Sequence, residues 1–327
     1  MNSLKSFWTQ YFPPSPTSSE SQVGPQLLRV FVVTGGNSGL GLELVKRLYP
    51  TGATIYLACR SKERAEIAMQ EVIESTNESY ISTPAKLKFL YLDLNDLSSI
   101  AKSAATFCKN ESRLDILWNN AGIGGSPIGT TTRQGLEGHI GVNCVGPLMF
   151  TQALLPMLRN AAQDSAPGSV RIVWTASLSI ESHAPVGGIR PDRVDCGITQ
   201  DPPSDYAQSK VGNWWLALEA ARRYAEYGIV SVAQNPGQLD TDVWKHQPWW
   251  LMILVRPTLY DKRFGVYTML YAGFSKVLLV GDKRYVIPWG RVREWNECPR
   301  RDIVAAMDDM GPEWFWDWCE DHFRHFI

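Results

Sequence analysis

VFVVTGGNSGLG, residues 30–41, is the stretch that decides the fold of this 327-residue chain. Its apolar start, Val30–Val33, predicts a buried β-strand, and a helix is predicted over Leu40–Leu48 after a glycine-rich turn. Glycines allow the chain to reverse tightly and a ligand to approach the backbone. The free N–H groups and the positive dipole end of the helix favour a phosphate. The stretch therefore predicts a pyrophosphate site at the carboxyl end of a first parallel strand; the alternative is an ordinary tight turn between a strand and a helix.

Composition and charge exclude several classes of protein. The chain has 32 basic and 33 acidic residues, a formal net charge of −1, so we expect no nucleic-acid partner. No apolar run reaches the roughly 18 residues that a membrane span needs. The six cysteines are scattered without a C-x-x-C pair, which suggests reduced thiols in an intracellular compartment. We therefore expect a cytoplasmic protein.

The domain organisation follows from changes in composition along the chain. Residues 1–29 are predicted to form an N-terminal arm that is partly disordered, because the Pro- and Ser-rich PPSPTSSE follows the aromatic FWTQYF. The aromatic residues of this arm are candidates for packing on the body. Residues 30–327 are predicted to form a single domain.

The end of the second predicted strand suggests which dinucleotide is bound. Thr54–Ala58 is apolar, and CRSKER follows it with Arg60 at the position that faces the adenosine ribose in a dinucleotide-binding unit. A carboxylate there accepts a hydrogen bond from a free 2′-OH, whereas a basic side chain pairs with a 2′-phosphate. Lys62 and Arg64 add positive charge. This pattern favours NADP(H), and the alternative is a solvated basic helix start before a helix over Lys62–Ser75.

Three further strands each end in polar residues. Leu87–Leu92 is followed by Asp93-Leu94, where Asp93 could be a ligand-binding carboxylate, the N-cap of a helix over Leu97–Cys108, or both. Asp115–Trp118 ends in Asn119-Asn120-Ala121-Gly122, whose side-chain amides can brace the centre of the sheet. Ser169–Thr175 ends in Ala176-Ser177, with Ser179 close behind as a second candidate hydroxyl.

A tyrosine and a lysine one helical turn apart form the candidate acid–base pair. In Tyr206-Ala-Gln-Ser-Lys210 the two side chains lie on one helix face. An ammonium near a phenol favours the phenolate and is expected to lower its pKa from about 10. Such a phenol could donate a proton to the oxygen of a reduced carbonyl.

These motifs in this order resemble the classical short-chain dehydrogenase/reductase family, and within it the retinol-dehydrogenase-like reductases and their fungal relatives. The resemblance covers TGxxxGxG, NNAG, a helix Asn in GVNCVGP, a serine after the fifth strand and YxxxK. It implies a doubly wound α/β Rossmann fold with a seven-stranded parallel sheet of order 3-2-1-4-5-6-7 and helices on both faces. It implies a catalytic set consisting of Asn143, Ser177, Tyr206 and Lys210.

The resemblance also implies the residues that bind NADP(H). After the sixth strand, Ile229–Gln234, the segment Asn235–Thr241 resembles the family's PG-x-x-x-T segment on the nicotinamide side. The implied cofactor-binding residues are Thr34, Gly35, Asn37, Ser38, Gly39, Leu40, Gly41, Arg60, Asp93, Leu94, Asn120, Ala121, Gly122, Tyr206, Lys210, Pro236, Gly237, Leu239 and Thr241. No metal site is expected, because His322 and His325 lack further clustered ligands.

Two segments outside these motifs are predicted to form the substrate site. Residues 178–205 read as a long Gly- and Pro-rich loop. Residues 242–264 carry a Trp-rich apolar run that is either a lid over an apolar pocket, plain core packing or a patch on a membrane surface.

The remaining elements are predicted as follows. A helical stretch is expected over Gly135–Arg159 and another over Arg263–Phe274. A seventh strand is expected at Tyr285–Pro288, and an aromatic-rich helical segment over 290–327 follows it.

The functional expectation is a reversible NADP(H)-dependent carbonyl reductase or alcohol dehydrogenase. Its substrate is expected to be a bulky apolar ketone, aldehyde or secondary alcohol, such as a retinoid, a steroid or a polyketide-derived ketone of secondary metabolism. One alternative is a catalytically silent NADP-binding sensor, although the Ser/Tyr/Lys set is complete. Another is a non-redox or imine-reducing relative. Members of the resembled family often form dimers through their long helices, which suggests a homodimer here.

Overall fold

The computed structural model describes residues 3–16, 23–76, 83–240, 252 and 256–327. Within them a single sheet runs in the order β3-β2-β1-β4-β5-β6-β7-β8. The strands are β1 Val30–Thr34, β2 Thr54–Cys59, β3 Lys86–Tyr91, β4 Ile116–Asn119, β5 Arg171–Thr175, β6 Val230–Gln234, β7 Tyr285–Ile287 and β8 Arg291–Arg293. The seven strands β1–β7 pair in parallel, which confirms the predicted order and the doubly wound α/β class.

The eighth strand is the one departure from the predicted sheet. β8 pairs antiparallel with β7, so that Val286 lies opposite Val292. The connection includes Gly290 with a φ of +78°, a conformation in which the chain turns back at once. Antiparallel neighbours need only such a short connection, whereas another parallel strand would need a crossover helix. The sequence reading assigned these residues to the C-terminal helical segment, and that boundary is wrong.

Helices cover both faces of the sheet, as predicted. In chain order they are α1 Ser3–Tyr11, α2 Gly39–Leu48, α3 Lys62–Ser75, α4 Leu97–Asn110, α5 Gly138–Ile140, α6 Gly146–Ala153, α7 Leu155–Gln163, α8 Ser179–His183, α9 Pro191–Val194, α10 Pro202–Arg223, α11 Lys262–Phe274, α12 Arg301–Asp308 and α13 Gly311–Phe323.

Alternate side chains of β1 enter different cores, because successive residues of a strand point to opposite faces. Val30 and Val32 join a core with α4, α6 and α10. Phe31 and Val33 join a second core with α2 and α11. The continuous apolar run in β1 is therefore explained by burial on both sides.

The predicted long helix over 135–159 is interrupted in the structure. It begins at Gly138, passes through a π-helical turn at Gly141–Val145 and breaks at Leu154. Pro156 explains the break, because its ring clashes with the carbonyl group four residues earlier. Among the described residues no single helix has the length and apolarity of a bilayer span; only the bent pair Gly138–Ala153 and Leu155–Gln163, at 51°, reaches both together.

The segment predicted as a plain loop over 178–205 contains the short helices α8 and α9 and the start of α10. α10 is buried along most of its length, and α13 packs on it where Gly212 meets Phe315. A Cβ atom on Gly212 would lie 2.8 Å from that aromatic ring. The surface of α10 around Gly212 is therefore covered by α13.

Candidate active site

One cavity of about 1110 Å³ lies at the carboxyl ends of the parallel strands. The predicted residues that line it are Gly35, Asn37, Ser38, Gly39, Leu40, Arg60, Asp93, Leu94, Asn120, Ala121, Gly122, Ser177, Tyr206, Lys210, Pro236, Gly237 and Leu239. Thr34, Gly41 and Asn143 lie behind its wall. Thr241 lies outside the described residues, as does most of the Trp-rich segment. The candidate residues therefore converge on one crevice, although their sequence positions span about two thirds of the chain.

The glycine turn depends on contacts that a side chain would prevent. Gly35 has a φ of +68°, and a Cβ atom there would lie 3.3 Å from Ala121. On Gly41, the first turn of α2, a Cβ atom would lie 2.4 Å from the carbonyl oxygen of Gly35. The tight packing of α2 against the turn keeps the amino end of the helix at the cavity, where its N–H groups can face a phosphate.

Thr34 connects β1 to the segment after β4. Its hydroxyl oxygen accepts hydrogen bonds from the backbone N–H groups of Asn120 and Ala121, both at 2.9 Å. The side-chain amide of Asn120 donates to the Thr34 carbonyl oxygen at 2.8 Å. The predicted bracing of the sheet centre by this Asn is thus confirmed. Thr34 does not line the cavity itself but holds Asn120 and Ala121, which do.

Asp93 lies in the cavity wall and is not a helix N-cap. Its carboxylate accepts a hydrogen bond from the backbone N–H of Asn95 at 3.1 Å. The N-cap of α4 is Asp96, whose carboxylate accepts from the N–H of Ser98. The alternative reading of Asp93 as the cap is therefore wrong, and Asp93 is one of the residues that line the cavity.

Two arginines form the wall beyond β2. Arg60 and Arg64 both line the cavity, together with Ser61, which caps α3 by accepting from the backbone N–H of Arg64. Lys62 is not among the lining residues, and its ammonium lies 3.7 Å from the Glu66 carboxylate. Asp93 is the one carboxylate among the described lining residues. The electrostatic character of this end of the cavity is accordingly positive.

Ser177, Tyr206 and Lys210 meet between β5 and α10. The Ser177 hydroxyl forms a hydrogen bond with the Tyr206 phenol and also accepts one from the backbone N–H of Ser179 at 3.1 Å. The Lys210 ammonium donates to the Thr175 carbonyl oxygen at 2.9 Å and lies 5.5 Å from the centre of the Tyr206 ring. Burial lowers the pKa of Lys210 to about 8.

The pKa of Tyr206 moves opposite to the sequence-based expectation. Burial raises this pKa, and the hydrogen bond from Ser177 only partly offsets the rise. The expected lowering by Lys210 is therefore corrected: its ammonium is itself destabilised by burial, and it donates to Thr175 and not to the phenol. The Tyr206 phenol is consequently held in its protonated form.

Asn143 lies in the π-helical turn at Gly141–Val145 and supports the site indirectly. Its side-chain oxygen accepts from the backbone N–H of Ile123 at 2.8 Å, and its amide donates to the Ser209 hydroxyl at 2.9 Å. It thereby joins the segment after β4 to the helix that carries Tyr206 and Lys210. Turns of this rare kind occur frequently at functional sites.

Sequence reasoning missed a buried group that packs on Tyr206. Glu137 accepts hydrogen bonds from the Thr199 hydroxyl and from His139, and both side chains are buried. The His139 ring meets the Tyr206 ring edge-on at 6.1 Å. No local motif indicates this group, because its members are far apart in the sequence: the hydrogen bond from Thr199 to Glu137 spans 62 residues.

Comparison with known proteins shows which family the chain is similar to. A family model described as short chain dehydrogenase matches residues 29–188. The short-chain dehydrogenase/reductase iacJ of Pestalotiopsis fici is 47% identical over 331 residues, with 100% of both chains covered. A short-chain dehydrogenase/reductase of Phomopsis amygdali is 37% identical over 335 residues, covering 100% of this chain and 98% of the relative.

Two solved structures share the fold at lower identity. An NADPH-bound carbonyl reductase from chicken fatty liver has a TM-score of 0.60 at 24% identity, covering 83% of this chain and 100% of its own. A 3-oxoacyl-acyl-carrier-protein reductase from Brucella melitensis in complex with NAD has a TM-score of 0.57 at 22% identity, covering 76% and 91%.

The sequence similarity defines the class as that of the nicotinamide-dependent oxidoreductases that act on small molecules. The chain belongs to the short-chain dehydrogenase/reductase family.

Proposed function

We propose that the chain is an NADP(H)-dependent carbonyl reductase that also runs in reverse as an alcohol dehydrogenase. The observation that carries this proposal is the convergence of Ser177, Tyr206 and Lys210 on one cavity wall beside the glycine turn. A hydroxyl, a protonated phenol and a buried ammonium are the groups needed to bind a carbonyl oxygen and move a proton to it.

The residues divide the chemistry as follows. The nicotinamide, when bound, supplies or accepts a hydride at the substrate carbon. Ser177 donates a hydrogen bond to the carbonyl oxygen, and Tyr206 gives that oxygen a proton as the hydride arrives; in the reverse direction Tyr206 takes the proton. Its raised pKa keeps the phenol protonated near neutral pH, which is the form that can donate, whereas the reverse direction needs the phenolate and is favoured at higher pH. Lys210 binds the nicotinamide ribose. Its pKa is about 8, so its ammonium gains and loses a proton at a pH only slightly above neutral.

The preference for NADP(H) rests on the positive end of the cavity. Arg60 and Arg64 line the wall beyond β2, where NAD-binding proteins commonly carry a carboxylate for the ribose 2′-OH. Guanidinium groups bind phosphate through several charge-assisted hydrogen bonds. One structural neighbour was solved with NADPH and another with NAD, so the two arginines are the reason for this choice.

The substrate we propose is a bulky and mainly apolar ketone, aldehyde or secondary alcohol, of the kind met in secondary metabolism. Apolar side chains that include Leu178, Val142 and Pro203 line the cavity beside the Ser/Tyr/Lys set. Ser179 lines it too, although its hydroxyl oxygen is itself buried.

The test is the loss of NADPH absorbance with a panel of bulky aryl, terpenoid and aliphatic ketones, with NADH as the second cofactor. Tyr206→Phe is expected to lower kcat by about 10²–10⁴-fold, because it removes the proton donor. Its Kd for NADPH should stay within about twofold of that of the wild-type protein. Tyr267→Phe on α11 is the matched control, since Tyr267 is not among the residues that line the cavity.

Turnover that survives in Tyr206→Phe would refute the assignment. No turnover by the wild-type protein, together with a melting temperature that NADPH raises, would favour a silent NADP-binding protein.

A further inference from the structure

The N-terminal helix α1 is tied to two walls of the cavity by one buried glutamine. Gln10 is 1% exposed. Its side-chain amide donates to a Glu181 carboxylate oxygen at 2.7 Å, and its side-chain oxygen accepts from the Asn235 amide at 3.1 Å. These partners lie 171 and 225 residues away in the sequence. Gln10 therefore holds together segments that are remote along the chain.

A buried ion pair anchors the same helix. Glu181 and Arg293 form a salt bridge in which their side chains are only 6% and 2% exposed. Arg293 also donates to the Ser6 hydroxyl at 3.0 Å, and Arg291 donates to the Thr9 carbonyl oxygen at 2.7 Å. Paired buried charges need further hydrogen-bond partners to be tolerated. Helix α1 supplies such partners from Ser6 and, through Glu181, from Gln10.

Both anchors adjoin the reacting groups. Glu181 lies in α8, which begins two residues after Ser177, and its neighbours in that helix line the cavity. Asn235 begins the turn after β6, where its side-chain oxygen accepts from the backbone N–H of Gly237 at 3.0 Å. The turn of α1 that carries Gln10 consequently lies between the Ser177 wall and the Gly237 wall.

The next residue of α1 reaches the cavity itself. Tyr11 is one of the residues that line it, whereas Trp8 on the same helix is 64% exposed. Tyr11 directly follows Gln10, whose partners Glu181 and Asn235 adjoin the Ser177 and Gly237 walls, and we therefore assign Tyr11 to the substrate side of the cavity.

We propose that helix α1 is part of the active site: Tyr11 contacts the substrate and determines which ketones fit, and Gln10 is a positioning residue for the walls that carry Ser177 and Gly237. This inference rests on the proposed carbonyl reductase function. An N-terminal segment that contains no catalytic motif would thus help to determine the substrate specificity.

The first test compares two aromatic residues of one helix in the full-length protein. Tyr11→Ala is expected to change the ratio of kcat/KM between a bulky aryl ketone and a small aliphatic ketone by about tenfold or more. The reason is that even one methylene group more or less in an apolar pocket changes discrimination by about tenfold or more. The Kd for NADPH should change less than about twofold, since Arg60 is remote. Trp8→Ala, the matched control, should leave the ratio unchanged. Equal ratios in the two variants would overturn the role of Tyr11.

The second test concerns Gln10. Gln10→Ala is expected to lower kcat for the bulky ketone about tenfold with NADPH affinity intact, because a displacement of about 1 Å of the Ser177 wall costs up to 10²-fold. Thr9→Ala is its control, since within the described part of the chain the Thr9 hydroxyl donates only to the Ser6 carbonyl oxygen of its own helix. A Gln10→Ala variant with wild-type kcat would overturn the positioning role.

A readout that does not need turnover separates the two proposals. In Tyr11→Cys, maleimide labelling of position 11 is followed by peptide mapping, which distinguishes it from the six native cysteines. NADPH with a bulky secondary alcohol should slow this labelling at least about threefold, and labelling of a Trp8→Cys variant should be unaffected. If the wild-type protein reduces no ketone, the proposed function fails, while absence of protection at position 11 refutes the place of α1 in the site.

Discussion

Lys210 offers a test of the reasoning because its burial should cost stability in a defined pH range. Its pKa is about 8 instead of the ordinary 10.5, so the folded state holds the ammonium less favourably than the unfolded chain does. That difference corresponds to a cost of about 3 kcal/mol at pH 7. The Thr175 carbonyl oxygen, which accepts from the ammonium, would lose its partner in Lys210→Met, at a cost of about 1–3 kcal/mol. At pH 7 we therefore expect Lys210→Met to be as stable as the wild-type protein or up to about 2 kcal/mol more stable, although inactive.

The sign of the pH dependence follows from the same pKa. A lysine whose folded pKa is depressed destabilises the protein below that pKa, and the cost disappears as pH rises from about 8 towards 10.5. The wild-type free energy of unfolding should rise relative to that of Lys210→Met by about 1.4 kcal/mol per pH unit in this window. Urea unfolding of both proteins between pH 7 and 9.5 measures the difference, in which all other titrations cancel.

Lys276→Met is the matched control, because it removes the same charge from an exposed position. Its stability difference from the wild-type protein gives the baseline for removing a lysine over the same pH range. A difference between Lys210→Met and wild type that varies with pH no more than this baseline would refute the claim that burial depresses the pKa of Lys210.

Three further predictions concern the cofactor and the framework of the site. Arg60→Asp should lower kcat/KM for NADPH at least about tenfold, the loss of one charge-assisted hydrogen bond to phosphate, and should raise that for NADH; steady-state kinetics with both cofactors measure the ratio. Gly41→Ala puts a Cβ atom 2.4 Å from the Gly35 carbonyl oxygen, so it should cost about 1–3 kcal/mol of stability and weaken NADPH binding, measured by urea unfolding and fluorescence titration. Glu181→Leu leaves the buried Arg293 without its ion-pair partner and should cost about 3–5 kcal/mol in urea unfolding.

Each of these has a result that would contradict it. Lys62→Asp, on the same helix start but outside the cavity lining, is the control for Arg60, and an equal change of cofactor preference in both variants would mean that Arg60 is only a surface charge. A Gly41→Ala protein with unchanged stability and affinity would show that α2 can move away from the turn. Glu181→Gln keeps the shape and an oxygen for Arg293 but removes the charge, and if it is as stable as the wild-type protein while Glu181→Leu is not, the packing and the hydrogen bonds, and not the unpaired charge, explain the loss.

Local chemistry explains why the sequence located most of the candidate site. Tyr206 and Lys210 had to share a helix face, because their spacing is one turn. Residues that directly follow parallel strands had to meet at one sheet edge, so Arg60, Asp93 and Asn120 could be assigned to one cavity in advance. These predictions require only short-range geometry and the handedness of parallel crossovers.

Energetic balances could not be taken from the sequence. The spacing of Tyr206 and Lys210 suggested a lowered phenol pKa, yet burial raises it and lowers that of the lysine. Whether desolvation or attraction between charges dominates depends on how many atoms surround each group. That number is a property of the packed structure.

The sequence alone determined the class of fold and, through short motifs that resemble a known family, the order of the seven parallel strands; it also assigned the candidate catalytic side chains to one site. Only the tertiary structure decided that α1 forms a wall of the cavity, that β8 turns back on β7, and that α13 covers α10. Gln10 and Asn235 are separated by 225 residues, and nothing in the neighbourhood of either predicts the other. Contacts of this kind depend on which polar groups the packed core buries next to each other. Such buried groups need a hydrogen-bond partner, and the partner can come from any part of the chain.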